Sequence, residues 1–221
     1  MNISDSLSSL RLEIPASVKL IAVSKTKSPD IILKAYEAGH RIFGENKVQE
    51  MVEKQAVLPK DIEWHFIGHL QTNKVKYMAS FVDMIHAVDS IKLLKEINKH
   101  ALKNERTISC LLQVHIAEEE TKFGLSEEEL FALLDSVELN ELKNVKISGL
   151  MGMATYTDEK ARIRKEFSYL NKLFVDIRSN NYDFLSGFHE LSMGMSGDYE
   201  IAIEEGSTMV RIGSLIFGAR S

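Results

Sequence analysis

Two lysines, Lys25 and Lys27, follow directly on the apolar run "VKLIAVS" at 18–24. A lysine leaving a strand end for the mouth of a cavity is partly desolvated, and Lys27 sets a like charge beside Lys25. Both effects lower the pKa and free the amine for attack on an aldehyde, as in Schiff-base lysines. Late in the chain, "SMGMSGDYEIAIEEG" places Ser196 ahead of an acidic amphipathic segment. The expectation there is an N-cap whose hydroxyl and following N–H groups hold an anion such as a phosphate. "RIGSLIFG" repeats the arrangement, with Gly213 permitting close backbone approach and Ser214 offering a hydroxyl. Arg211 stands just before them, at the junction of an apolar run and a glycine-flanked turn.

Other chemistries fail on spacing. A serine-hydrolase elbow, G-x-S-x-G, would need glycine where "GMSGD" has Asp198. His65 and His69 stand four apart in "WHFIGH", on a strand-to-loop segment that does not bring both rings to one helix face. They read as core or hydrogen-bonded histidines, and no metal site is expected. Met151, Met153, Met193 and Met195 form two M-G-M triplets at strand ends and read as interior filling. The lone Cys110, within "ISCLLQVHI", reads as a buried, inert thiol in a reducing compartment.

These residues need a frame that gathers distant strand ends. Apolar or β-branched runs recur at 18–24, 40–45, 62–68, 81–88, 107–116, 145–151, 188–194 and 208–213. Amphipathic segments separate them: "SPDIILKAYEAG", "NKVQEMVEKQ", "SIKLLKEINKHALKN", "SEEELFALLDSVEL" and "DEKARIRKEFSYLNKLFVDIRSN". Capping residues open several, namely Ser28 followed by Pro29, Ser90, and Ser126 with Glu129 three residues on. Alternation of this kind builds a parallel sheet with helices outside it, and eight units in 221 residues suit a single-domain (β/α)8 TIM-type barrel over 1–221. An open doubly wound sheet is the alternative, but "AVSKTKSP" has no glycine where a dinucleotide fingerprint would lie. In a barrel, function gathers at the C-terminal strand ends, where the polar residues named above sit, with Gly44, Glu45 and Asn46 after the second run.

Composition agrees with a folded, small-molecule-binding protein. Hydrophobic residues make up 44% and charged residues 27%, and the net charge of −5 without a basic run argues against nucleic-acid or anionic-membrane partners. The N-terminal "MNISDSLSSLRLEIP" has neither a basic region nor a long apolar stretch, so a cytoplasmic location is expected.

Taken together, "AVSKTK", "FGENKVQE", "WHFIGHLQTNK", "LSMGMSGD" and "RIGSLIFGAR" resemble the pyridoxal phosphate homeostasis protein family, which is related to the N-terminal domain of alanine racemase. The resemblance runs from about residue 18 to 220 and implies an alanine racemase-like barrel that binds pyridoxal 5'-phosphate (PLP). It further implies a covalent Schiff base between the PLP aldehyde and Lys25. Ser196, Gly213 and Ser214 would hold the phosphate, Asn46 would lie near the cofactor, and Arg211 would face the pyridine nitrogen. Lys47 stands where the family pattern leads one to expect an aromatic residue.

A permanently charged arginine at the pyridine nitrogen weakens the ring as an electron sink and disfavours transaminase-type chemistry. Racemisation needs an acid/base group on each face, and in alanine racemase a second domain supplies the one opposite the lysine. The chain ends one barrel element after Arg211, so that group would have to come from a partner subunit or from Tyr156. The expectation is a PLP carrier in intracellular PLP homeostasis with little or no turnover. PLP-dependent apoenzymes are its expected recipients and a monomer its expected state. An amino-acid racemase is the alternative reading and a Schiff-base aldolase a weaker one.

Overall fold

The computed structural model describes residues 2–118, 123–180, 182 and 186–218. Ala219 and Arg220, which end the last motif, therefore lie outside the described residues. Eight parallel strands close into a barrel in chain order. They are β1 (Lys19–Val23), β2 (Ile42–Glu45), β3 (Glu63–Phe66), β4 (Met84–Val88), β5 (Ile108–Gln113), β6 (Val145–Met151), β7 (Glu190–Met195) and β8 (Met209–Ile212). Each falls within one of the eight apolar runs, with at most one residue of overhang. Closure is made by β1 against β8, in the register Ile21 to Arg211 and Ala22 to Ile212.

The helices between strands are amphipathic and turn their apolar faces onto the barrel: α2 (Pro29–Glu37), α3 (Val48–Val57), α4 (Ile91–Lys103), α5 (Glu127–Leu134) and α7 (Lys160–Ser179). In α7 the buried Ile163, Phe167, Leu170, Phe174 and Ile177 recur every three or four residues, one stripe of a 3.6-residue helix. Full burial stabilises each such side chain by about 1.5–3 kcal/mol relative to exposure. Ser90 caps α4 through the Leu93 amide, and Ser126 and Glu129 form a complete capping box on α5. Ser28 occupies the N-cap of α2 without a side-chain cap bond; Pro29 at the first turn has no N–H to satisfy there.

Two expectations are corrected, and one helix had not been anticipated. The segment 126–139 is two helices, α5 and α6 (Val137–Asn140), because the Ser136 hydroxyl accepts from Leu139 N and restarts the chain. The unanticipated N-terminal α1 (Ile3–Glu13), capped by Asn2, buries Leu7 and Leu10 and packs on α2. It was hidden by serine content that favours caps over helix interiors. The N-cap of the short α8 (Tyr199–Glu204) is Asp198, not Ser196; the Asp198 carboxylate accepts from the Met195 amide and closes the turn around Ser196.

Apolar side chains form two bodies. A large one fills the layer between sheet and helices, and a small one of Ile21, Met84, Ala87, Leu111, Met151 and Met209 fills the barrel interior. The methionines divide accordingly. Met151 is interior filling and Met193 belongs to the outer layer, whereas Met153 and the partly exposed Met195 line a cavity at the barrel mouth.

Candidate cofactor site

That cavity, about 590 Å³, opens at the C-terminal ends of the strands and is of the size that takes a small ligand. Lys25, Asn46, Ser196, Arg211, Gly213 and Ser214 all line it. Six residues picked from four separate motifs thus meet in one place, because parallel strands deliver their C-terminal ends to a single face.

Lys25 lies one residue past the end of the buried Ser24 and is itself half-buried. Asn46 follows β2, and its side-chain Oδ1 is buried without a hydrogen-bond partner among the described residues. The approach that seats it depends on Gly68: a Cβ there would stand 2.3 Å from Asn46 O and 2.8 Å from its Cα. A buried, unpaired amide oxygen on a cavity wall is an acceptor awaiting a donor.

The two loops after β7 and β8 are joined by the Gly213 amide, which donates to Ser196 Oγ at 3.3 Å. Gly213 also packs tightly on β1, where an added Cβ would meet Val23 O at 3.2 Å. It caps α9 (Ser214–Phe217), so the Ser214 hydroxyl sits at a helix start beside Ser196 on the same cavity wall. With α8 and α9 spanning only six and four residues, their dipoles are small, and anion holding rests on hydroxyls and local N–H groups.

Arg211 is only 4% exposed. Its Nη1 donates to Ser192 Oγ at 2.6 Å and its Nη2 to Gly152 O at 3.0 Å. Burial pulls its pKa down to about 10, against the pull of the Asp198 carboxylate, so it remains a cation at neutral pH. Behind it runs a buried chain: Ser192 Oγ lies 2.9 Å from His86 Nδ1, and His86 Nε2 lies 2.9 Å from His65 Nδ1. Since arginine can only donate, Ser192 Oγ accepts from it, and the same hydroxyl is paired with His86 Nδ1. His86 and His65 share one proton along their Nε2–Nδ1 hydrogen bond. Both rings are neutral: burial pushes His65 down to about 3 and lowers His86 well below its usual value, with Arg211 and His65 adding to the effect on His86. Sequence reasoning placed His65 correctly as a hydrogen-bonded core residue and missed Ser192. The signal for Ser192 was its inward register two residues before Gly194 on β7. His69 lies apart from His65, with its ring stacked on Phe123 at 4.1 Å. Cys110 is fully buried and its thiol is pushed up by that burial.

Three further cavity residues were not singled out as cofactor contacts. Lys27 lines the wall and donates to Phe217 O at 3.3 Å, tying the first strand's loop to the last helix. Thr155 and Tyr156 follow β6; Thr155 is anchored through its amide and hydroxyl by buried Glu166, while Tyr156 is 94% exposed at the rim. Among the described residues no helix is long and apolar enough to cross a membrane.

The donor set fits PLP: an amine, two hydroxyls on joined loops, an unpaired amide acceptor and an enclosed cation share one cavity. Comparison with known proteins agrees. The family model for the N-terminal domain of alanine racemase matches residues 2–221. A pyridoxal phosphate homeostasis protein of Aquifex aeolicus is 43% identical over 203 residues, covering 91% of this chain and 87% of its own. The structure of PipY from Synechococcus elongatus PCC7942 with PLP bound superposes with a TM-score of 0.89 at 37% identity, covering 98% of this chain and all (100%) of that one. Alanine racemase from Bartonella henselae shares the fold, with a TM-score of 0.70 at 16% identity over 99% of this chain and 60% of that one. The chain belongs to the pyridoxal phosphate homeostasis protein family, within the wider family of the alanine racemase N-terminal domain.

Proposed function

We propose that the protein binds PLP covalently at Lys25 and serves as a PLP carrier in cofactor homeostasis, with little or no turnover of its own. The observation that carries the reading is the convergence of Lys25, Asn46, Ser196, Arg211, Gly213 and Ser214 on one cavity. When bound, PLP supplies an electrophilic aldehyde attached to an electron-withdrawing ring. Lys25 would provide the amine that condenses with that aldehyde, with loss of water. Ser196, Ser214 and the Gly213 region would hold the phosphate, and Asn46 Oδ1 would accept a donor from the ligand. Arg211, fixed by Ser192 and Gly152, would present a proton-saturated group to the ring nitrogen and so keep that nitrogen unprotonated. This arrangement supports holding over electron-sink chemistry. PLP-dependent apoenzymes would be the recipients, in the cytoplasm.

Absorbance of the purified protein with and without added PLP tests the reading. A chromophore that survives dialysis and is lost in Lys25→Ala supports it, and a colourless protein refutes it. Borohydride reduction and peptide mapping distinguish Lys25 from Lys27. Release of an amino acid's α-proton into deuterated water, with clear turnover, would replace the carrier by a racemase, with rim residue Tyr156 as the group to mutate next.

A further inference from the structure

We propose that Glu45, Glu50 and Lys54 form a clamp that grips the backbone on both sides of Lys25 and thereby sets the direction of its amine into the cavity. Thr26, the residue after Lys25, has φ of +67°, a left-handed conformation that a β-branched residue adopts only where its surroundings impose it. Its amide donates to Glu50 Oε1 at 2.5 Å. On the other side of Lys25, Ser24 O accepts from Lys54 Nζ at 2.8 Å, and Ser24 Oγ donates to Glu45 Oε1 at 2.6 Å.

Lys54 joins the two halves. Its Nζ lies 2.7 Å from Glu45 Oε1 and 2.7 Å from Glu50 Oε1, so its three donors are used by Ser24 and the two carboxylates. Lys54 is 4% exposed and Glu45 fully buried. Buried ion pairs often stabilise no more than apolar residues of similar volume, so their placement on the residues that bracket Lys25 points to a geometric task. The network spans the end of β2 and one face of α3 at an i, i+4 spacing, and it contacts the two residues that bracket Lys25. These three are positioning residues. They hold the residues on either side of Lys25, not the cofactor.

The inference rests on Lys25 being the attachment residue, yet it can be read without PLP. The ligand-free protein is labelled with formaldehyde and cyanoborohydride across a pH series, and peptide mass spectrometry follows Lys25 with exposed Lys103 as internal reference. In the wild type the two rate profiles differ. In Glu50→Ala, which leaves the Thr26 amide without its acceptor, the Lys25 profile moves toward that of Lys103 by about threefold or more, and the rate of PLP attachment falls about tenfold. Glu50→Gln, which keeps an oxygen acceptor for Thr26, restores most of both. Lys54→Met behaves as Glu50→Ala where it folds. A Lys25 profile unchanged in Glu50→Ala below its melting temperature overturns the clamp, as does a wild-type profile equal to that of Lys103. If the profile moves as expected while the wild type takes up no PLP, the clamp stands and the cofactor reading falls.

Discussion

Arg211 shows how a single side chain can be both enclosed and charged. Its two anchors are neutral oxygens, Ser192 Oγ and Gly152 O, so the charge is solvated by protein dipoles and not cancelled by a carboxylate. Arg211→Gln should keep part of the hydrogen bonding and lose the cation. It should cost about 1–3 kcal/mol in denaturant unfolding and shift the absorbance of bound PLP with pH, because the ring nitrogen would no longer face an obligate donor. An unchanged spectrum removes Arg211 from its assigned role. The histidines make a second prediction. His40 is buried, its Nε2 is 2.9 Å from Ile42 O, and burial lowers it to about 4; His65 and His86 are also neutral. Between pH 6.5 and about 4 the unfolded chain binds more protons than the native one, so this stability is present above 6.5 and lost as the pH falls. Each histidine contributes a slope of up to about 1.4 kcal/mol per pH unit. Glu45, raised by burial, acts with the opposite sign, losing its contribution as the pH rises. Thermal unfolding at pH 7, 6 and 5 should show the decline, and His40→Gln should make it shallower.

Among the elements, the loop that follows β3 leaves no room for a side chain beside Asn46. Gly68→Ala would drive a methyl into the backbone of Asn46, and that carbonyl cannot yield without moving the end of β2. The expected result is a melting temperature lowered by several degrees, with weaker PLP binding measured by absorbance titration. A variant with wild-type affinity would show that the loop yields without disturbing Asn46. The strands were legible because continuous apolar runs and polar strand ends are local properties. So were the caps at Ser90 and Ser126, where the residue and its partner lie within three positions. What escaped reading was decided by geometry across turns. Asp198 took the N-cap of α8 because its carboxylate could reach back to the Met195 amide, and the six residues of α8 leave little periodicity to read.

For the molecule as a whole, closure of β1 on β8 leaves no strand edge for another chain to extend. A monomer is therefore expected by light scattering at micromolar concentration, and a stable dimer would have to be built on helix faces. The meeting of six residues on one cavity was legible because a barrel brings strand ends together whatever their separation. The inner chain from Arg211 to His65 was not, since it links β8, β7, β4 and β3 through side chains that share a layer but no sequence neighbourhood.

The seam between β1 and β8 also carries a timing. Lys27 meets Phe217 O across 190 residues of chain, and Gly213 reaches back to Ser196 only when the last strand is in place. During synthesis Lys25 emerges early and the loops that carry Ser196 and Ser214 emerge last. Until β8 docks, the cavity beside Lys25 lacks the wall that Arg211, Gly213 and Ser214 supply. The cavity and the closed fold are thus completed by the same strand, the last of the barrel.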